Sequence, residues 1–454
     1  MIGTTNTARC GLCERGALTW LALLMLLHGT YSVAPDLTRG ARHAVFLTGS
    51  IGLAALFGVY VWVGRWLLVG VCPRDRVATP DMVDAILPIV TIVSALYFSL
   101  PDGVAILLTL GCVLPQAFLL ARRALRASLI FSCGFLLVGL FAVIVKTKLR
   151  HLGADMLPVS VWADRSFLHG MNPYFGDHTA VTPWPFFYLP LQWLIYLPLV
   201  VLHLDVRWIN FVSIVGTIWL LTRLWRDLMR PWTAFALLLA LVAARPSTEM
   251  LYQGEVWPLW FLISAFIVAF LRGRVWLAGV LVGLLLAYSQ TALVIAALIA
   301  VHQLRSGGPW RVTLTAGAVV LLVYLAFIFP FAHGMVAFID TNYIVLPHLA
   351  GIISERVRHN ATTQVSLTNL LTRLSASRWR ASLQLMAGLG GMLVLALRPT
   401  SPRGFLIVCG ITYLVAIGLN MQVWKYYYVP GLVFLFWSTV TTETTGTALR
   451  PSPT

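Results

Sequence analysis

Apolar runs of close to 20 residues recur from one end of this chain to the other. A run of that length can cross the hydrocarbon core of a bilayer as a helix, and lipid admits only helices or closed barrels as crossing structures. The composition agrees, because only 11% of the 454 residues are charged, whereas a soluble domain carries about 25%. The sequence therefore predicts an all-α, polytopic membrane protein.

About fourteen apolar segments are predicted spans, and we expect about 12 to 14 transmembrane helices. The predicted spans cover residues 16–34, 44–71, 83–100, 103–121, 127–146, 184–203, 207–222, 231–244, 256–271, 275–301, 312–332, 381–397, 404–419 and 423–440. The run over 275–301 is long for a single crossing, and Ser289 and Gln290 lie near its middle. Two short re-entrant pieces are therefore an alternative for this run.

The net charge of +16 comes largely from arginines that flank the spans. This arrangement indicates positive cytoplasmic loops and attraction to anionic lipid, and it argues against a nucleic-acid groove. Cys10 and Cys13 have half of a zinc or redox spacing, but no second pair follows. The sequence predicts no metal site and no cofactor.

Arginine-rich loops predict the orientation. The loops around 74–76, 122–126 and 398–403 fall on the cytoplasmic side if the N-terminus is cytoplasmic. Two long, aromatic-rich connections, 147–183 and 333–380, then lie outside, together with the short loop 420–428.

One group of arginines conflicts with this orientation. Counting the predicted spans places Arg223, Arg226 and Arg230 outside, against the positive-inside rule. If the proline-rich stretch 184–203 does not cross, these arginines move inside and the 245–255 loop moves outside. Both alternatives remain open from the sequence.

The first long loop contains a predicted interfacial helix. Apolar residues recur at spacings of three and four over 159–169, which is typical of an amphipathic helix lying at a membrane surface. Gly170 is expected to end this helix, and Asn172-Pro173 to form the turn after it.

Asp155 precedes this helix and is the candidate catalytic acid. A carboxylate between water and lipid headgroups can accept a proton from an acceptor hydroxyl, and partial desolvation raises its basicity. An ordinary interfacial carboxylate paired with Lys148 or Arg150 explains the same residue equally well. A metal site shared with Asp164 is not expected, since a spacing of nine places the two carboxylates on opposite faces of a continuous helix.

The order of these residues resembles the GT-C glycosyltransferases, and more specifically the bacterial α-mannosyltransferase-like family that uses polyprenyl-phosphate sugars. The resemblance begins with Asp155, continues through Gly170-Met-Asn172-Pro173-Tyr174, and reaches Tyr188-Leu-Pro190-Leu. Three later stretches are similar to the family: Tyr252-Gln253-Gly254-Glu255-Val-Trp257, Thr363-Gln364-Val-Ser366-Leu367 with Arg373, and Trp424-Lys425-Tyr426-Tyr427-Tyr428-Val429.

The resemblance covers roughly 130–440 and departs from the family at several positions. Glu255 replaces a glutamine, and Lys425 with two tyrosines replaces polar and histidine positions. A lysine that the family often carries near the second half of 275–301 is absent.

The resemblance implies an inverting transfer in which Asp155 is the general base. Arg356, Arg358 and Lys425 could neutralise the leaving phosphate, although headgroup contact and snorkelling explain them too. Tyr427 could stack on a sugar or belong to an aromatic belt with its neighbours. The full set of implied substrate-binding residues is Asn172, Tyr174, Tyr188, Gln253, Glu255, Arg356, Arg358, Gln364, Lys425 and Tyr427.

The predicted domain organisation has four parts. These are N-terminal transmembrane helices as an extension (1–126), a GT-C-like core that includes the first outer loop (127–332), a second outer loop (333–380), and C-terminal helices with a short tail (381–454).

The predicted function is transfer of a hexose, with mannose favoured, from a polyprenyl-phosphate donor to a lipid or glycan acceptor. The enzyme would be a multi-pass protein of the plasma membrane with an extracytoplasmic active face. An O-antigen ligase or polymerase, with catalysis by arginines and a histidine of the second loop, is one alternative. A transporter of lipid-linked or polyprenol-linked substrates is another.

Overall fold

The computed structural model describes residues 19–27, 30, 38–67, 115, 118–119, 122, 124–146, 156–174, 186, 188–228, 231–252, 254, 256–306, 311–327, 331, 336, 338, 364–397, 401–420 and 425–441. Regular structure in these residues is helical, and the only β-pairing among them is an isolated bridge between Leu228 and Thr441. The helices are α1 (Arg39–Leu67), α2 (Leu125–Lys146), α3 (Met156–Leu168), α4 (Pro190–Leu194), α5 (Leu197–Val201), α6 (Arg207–Arg223), α7 (Pro231–Ala243), α8 (Arg245–Tyr252), α9 (Trp257–Leu271), α10 (Val275–Tyr288), α11 (Ala292–Ser306), α12 (Arg311–Phe327), α13 (Leu367–Arg373), α14 (Arg380–Leu397), α15 (Pro402–Gly418) and α16 (Val429–Val440).

Short 3-10 turns over 225–227, 377–379 and 425–428 join some of these helices, and residues 19–27 form a further helical segment. The described part of the chain is thus all-α, as predicted. Two of its helices combine at least 18 residues with span-like hydropathy, over 41–59 and 380–397, and seven further apolar helices are shorter. The predicted spans over 83–100 and 103–121 lie almost wholly outside the described residues.

Most predicted spans in the described residues are helices with nearly the expected bounds. The segment predicted over 256–271 is α9, and that predicted over 381–397 is α14. Local chemistry sets such bounds: α15 starts at Pro402 because proline fits the first helical turn, and the side chain of Ser401 accepts a hydrogen bond from the amide of Gly404 at 3.1 Å.

The span predicted over 184–203 is not one continuous helix in the described residues, and its crossing of a membrane stays a prediction. Residues 190–201 form two five-residue helices, α4 and α5, each with a proline in its first turn. A proline inside a helix removes one backbone hydrogen bond and clashes with the preceding turn, so Pro198 starts a new helix and cannot continue the old one. The left-handed backbone of His203 (φ 55°) then ends α5.

The long run over 275–301 is two helices. Ser289 has an extended backbone and ends α10, and α11 begins at Ala292. The start of α10 packs closely on the start of α12, because a Cβ on Gly279 would lie 2.7 Å from Thr315. The helices α10 and α11 run in opposite directions, because α11 also ends beside the start of α12, where Thr313 donates to the side chain of Gln303 at 2.8 Å. The run is therefore two pieces, as in the alternative, and their re-entrant character stays a prediction.

Loops of the described chain collect at two ends of the helical bundle. At the first end, the side chain of Arg207 donates to the carbonyl of Ile144 at 2.8 Å, which joins the start of α6 to the end of α2. At the same end, Tyr413 donates to Thr291 at 3.1 Å, so the turn between α10 and α11 lies beside the last turns of α15. We call this end, with residues 156–174, 245–252, 254, 256, 364–373 and 425–428, the site end.

The opposite end carries the arginines of the short connections. Arg272 donates to the carbonyl of Arg223 at 2.8 Å and pairs with Asp227 at 2.8 Å. The bridge between Leu228 and Thr441 places the end of α16 there too. We call this the arginine end, with residues 223–228, 272–274, 305–306, 311 and 401–403. Arg223 and Arg226 thus lie at the same end as Arg272, which is the arrangement expected if the 184–203 stretch does not cross, and the membrane side of this end stays a prediction.

Close helix crossings make the core of the bundle rigid. At the crossing of α15 and α16, a Cβ on Gly431 would lie 2.5 Å from Leu414, and one on Gly410 would lie 2.8 Å from Leu435. The N-terminal segment joins the same core, since the Trp20 indole donates to the carbonyl of Leu432 at 3.0 Å. This packing fixes the positions of the loops at the site end.

Candidate active site

The interfacial helix predicted in the first loop is α3. It ends as expected at Gly170, whose φ of +72° is a left-handed conformation that glycine adopts without strain. The amide of Met171 donates to the carbonyl of Ser166, and that of Gly170 donates to the carbonyl of Phe167, both at 2.9 Å. This double cap is a common way to end a helix, and it fixes the direction in which the chain leaves α3.

One face of α3 packs into an aromatic cluster. The Phe167 ring lies 5.6 Å from Trp193 of α4 and 5.8 Å from Phe327 at the end of α12. Tyr174, just after α3, lies 5.4 Å from Phe338, edge to face. Since Phe338 belongs to the predicted second loop, the described parts of the first and second loops meet at this cluster.

The opposite face of α3 is also buried, which an amphipathic pattern does not predict. Leu157 packs with Tyr196 and Val200 on this side. Asp164 is on the same face, is fully buried, and has no hydrogen-bond partner for either carboxylate oxygen among the described residues. Burial raises the pKa of Asp164 to about 8, so the side chain is mostly a neutral acid at pH 7.

A buried amide organises the segment before α9. Asn210 near the start of α6 donates to the carbonyls of Leu251 and Gly254, at 3.0 and 2.8 Å, and accepts from the hydroxyl of Tyr196 at 3.1 Å. Tyr196 in turn packs on Leu157 of α3. The Asn210 side chain therefore links the first loop to the 250–254 segment.

The second loop and the 425–428 turn are joined by hydrogen bonds. The Tyr428 hydroxyl is fully buried and donates to the carbonyl of Val365 at 2.7 Å. Thr368 donates to the carbonyl of Asn420 at 2.8 Å. The helix α8 packs against the same 425–428 turn, so this helix and the described parts of both later stretches share the site end.

The described parts of the four sequence stretches of the resemblance lie at one end of the bundle. Contacts there join residues 156–174, 250–252 with 254, 364–369 and 425–428. Such an end can place polar groups next to apolar helix surface, which a reaction between a lipid-linked and a polar substrate requires.

The family model of glycosyltransferase family 87 matches residues 184–418, just over half of the chain. The chain belongs to this family. No curated protein and no solved structure matches it. As a member of glycosyltransferase family 87 the protein is an enzyme that transfers a sugar from a donor to an acceptor, and its apolar helices mark it as a membrane protein.

The family-87 match includes two of the stretches named from the sequence, 252–257 and 363–373, together with Tyr188. The first loop with Asp155 precedes the matched residues, and the 424–429 stretch follows them. The membership is thus established independently of the candidate base and of the lysine-tyrosine turn.

Several predicted site residues of this family-87 enzyme lie outside the described residues. They are Asp155, Gln253, Glu255, Arg356 and Arg358. Lys425 is the first residue of the 425–428 turn, and its side chain also lies outside the description. The roles of these six residues stay predictions.

Three predicted substrate-binding residues have structural partners. The side chain of Asn172 accepts from the amide of Tyr174 at 2.9 Å, which forms the predicted turn. The buried hydroxyl of Tyr174 donates to the carbonyl of Tyr188 at 2.9 Å, and burial raises the pKa of this phenol. These contacts hold the loop together, and substrate binding by the three residues stays a prediction.

Gln364 and Tyr427 each precede one partner of the hydrogen bond between Tyr428 and Val365. Gln364 is buried, and its carbonyl accepts from Asn369 at 3.0 Å. Tyr427 is half-buried, with its ring 4.8 Å from that of Tyr426. The aromatic-belt interpretation is wrong for Tyr428, because that side chain is fully buried inside the protein.

One residue that organises this end, Asn210, is one polar position in a predicted span and is not among the predicted site residues. Asp164 is also outside that set, although it is buried on α3. Polar residues inside apolar segments are a usable signal, since an unpaired polar group there is costly and is retained for a contact or a function.

Proposed function

We propose that this family-87 enzyme is a polytopic GT-C glycosyltransferase that moves a hexose, mannose-like, from a polyprenyl-phosphate donor to a lipid or glycan acceptor. The observation that supports it best is the convergence of the four resemblance stretches at the site end. Family membership favours this enzyme over the transporter alternative.

The proposed active face is extracytoplasmic. The arginine end carries described loop arginines such as Arg223, Arg272 and Arg305, and arginine-rich short loops are typical of the cytoplasmic side. The site end then faces outward in a multi-pass protein of the plasma membrane. Donors linked to polyprenyl phosphate present their sugar at a membrane surface, which suits a site built beside apolar helices.

The proposed chemistry is a single displacement with inversion. Asp155, the residue before α3, accepts the proton of the acceptor hydroxyl while that oxygen attacks the anomeric carbon, and polyprenyl phosphate leaves with the bonding electrons. Cations of the second loop and the turn, Arg356, Arg358 and Lys425, would neutralise the leaving phosphate. The first residues of α3 are well anchored for this purpose, because Met156 and Leu157 both pack into apolar clusters.

The test is the Asp155→Asn variant, reconstituted and assayed with polyprenyl-phosphate mannose and a membrane-extracted acceptor. We expect loss of transfer by at least about a hundredfold, as for removal of a general base. Asp227→Asn is the matched control, because Asp227 lies at the arginine end in a partly exposed ion pair with Arg272. Full transfer by the Asp155→Asn variant would overturn the proposed role of this carboxylate.

A further inference from the structure

The N-terminal helix α1 lies outside the residues that match the family and inside the predicted extension, yet it contacts the 364–369 segment directly. Ser50 of α1 is fully buried, and its Oγ accepts a hydrogen bond from the amide of Ser366 at 3.0 Å. The side-chain amide of Asn369 also donates to this oxygen, at 3.4 Å. These two residues are more than 300 positions from Ser50 in the chain.

The Ser50 hydroxyl is positioned by its own helix. It has one proton, which it donates to the carbonyl of Phe46 one turn earlier at 2.8 Å, while the carbonyl of Gln364 lies at 3.4 Å. With the proton held on Phe46, the lone pairs of Oγ point outward and accept from the second loop. Replacing Ser50 would leave the buried amide of Ser366 without this acceptor.

The 364–369 segment is a compact capped turn that depends on this contact. The side chain of Ser366 accepts from the amide of Asn369 at 3.0 Å and caps α13. The Asn369 side chain donates back to the carbonyl of Gln364 at 3.0 Å. Ser50 supplies the acceptor for the backbone amide of Ser366.

The helix α1 also approaches the segment closely. A Cβ on Gly49 would lie 3.0 Å from the side chain of Thr30 and 3.1 Å from Val365. Val365 is fully buried and is held from the other side by Tyr428. The 364–369 segment therefore contacts both α1 and the 425–428 turn.

We infer that α1 is a positioning element of the donor site, in which Ser50 and Gly49 fix the backbone on which Gln364 is presented to the donor phosphate or sugar. The inference rests on the proposed function, since the family resemblance behind that function implies substrate binding by Gln364. Ser50 is a positioning residue, because it acts through the second loop and does not touch substrate.

Steady-state kinetics of Ser50→Ala and Gly49→Ala test the inference. We expect the KM for polyprenyl-phosphate mannose to rise about tenfold in Ser50→Ala, as for one lost buried hydrogen bond, and to rise in Gly49→Ala because the new Cβ crowds Val365, with the KM for the acceptor unchanged in both variants. Ser50→Thr keeps the hydroxyl and should restore most of the donor KM. Ser438→Ala removes a buried serine whose hydroxyl bonds only the carbonyl of Leu435 in its own helix, and should behave as the unaltered protein.

A second measurement does not depend on the donor. In a chain whose native cysteines are replaced, Gln364→Cys should react slowly with a maleimide, because the position is buried. Adding Ser50→Ala should raise that rate about tenfold, and adding Ser438→Ala should not.

The possible failures are distinguishable. If the unaltered protein uses a different sugar donor, the proposed function fails, and the positioning role is judged by the KM for that donor and by the maleimide rate. The positioning role is overturned if Ser50→Ala leaves both the donor KM and the maleimide rate unchanged. It is also overturned if donor and acceptor kinetics decline together in proportion to loss of folded protein.

Discussion

Asp164 should make this protein less stable as the pH rises toward 8. The carboxyl is fully buried on α3 and has no hydrogen-bond partner among the described residues, and its pKa is raised from 3.8 to about 8. The folded state therefore keeps a proton that the unfolded chain releases above pH 4. Stability from this group is fully present below pH 4 and is lost as the pH rises toward 8.

The magnitude follows from the size of the pKa rise. One pKa unit corresponds to about 1.4 kcal/mol, so a rise from 3.8 to about 8 corresponds to at most about 6 kcal/mol. Relaxation and water entry reduce the penalty for a buried charge, and we expect a loss on the order of 2 to 4 kcal/mol across this range. Asp164→Asn keeps the shape and removes the charge, so it should flatten the pH profile.

The assay is thermal unfolding of detergent-solubilised protein followed by the fluorescence of its 17 tryptophans, at intervals from pH 5 to pH 8.5. The Tm of the unaltered protein should fall relative to that of Asp164→Asn as the pH rises, and the variant should be the more stable at pH 8. Asp227→Asn is the control, because it removes a paired and partly exposed carboxylate. Parallel Tm profiles for the unaltered protein and Asp164→Asn would refute the argument, as would a variant that is less stable at pH 8.

Two further substitutions test the packing that supports the site end. In Gly431→Ala the new Cβ would lie 2.5 Å from Leu414, which should push α16 away and destabilise the protein by about 1 to 3 kcal/mol, so the Tm should fall. The control is Gly134→Ala, which should not lower the Tm comparably, because nothing lies within 4 Å of a Cβ at that position. Asn210→Ala should leave the carbonyls of Leu251 and Gly254 without the donor that Asn210 supplies, which should lower the free energy of unfolding by about 1 to 3 kcal/mol. The rate of sugar transfer per folded molecule should also fall, because the segment before α9 is no longer held by this side chain. Retained transfer by Asn210→Ala would show that the segment is held by other contacts.

The sequence was most informative where one physical force dominates. Long apolar runs must bury their backbone polar groups as helices, and α9 and α14 therefore begin and end within a residue of their predicted bounds. The 184–203 run is as apolar as a span, but Pro190 and Pro198 lack the amides that a continuous helix needs, and they decide the local structure. The two prolines were therefore a stronger signal than the apolar character of the run.

The candidate site was predictable only in outline. The capped helix α3 and its turn follow from local residue types, which act over a few positions. The contact of Ser50 with Ser366, and that of Tyr428 with Val365, join distant parts of the chain through single hydrogen bonds. No periodicity or local propensity encodes such pairs, because the partners are chosen by how whole helices pack.

The hairpin of α10 and α11 has a consequence for the surrounding bilayer in the membrane placement proposed above. Its helices have 14 and 15 residues, and at about 1.5 Å per residue each is about 22 Å long. Exposed apolar side chains such as Trp276, Leu293 and Leu304 show that this hairpin faces outward. A hydrocarbon core of about 30 Å must thin beside it, at a cost of fractions of a kcal/mol per Å of hydrophobic mismatch. The lipid next to this hairpin is therefore strained, and the strain grows with the length of the acyl chains around the protein.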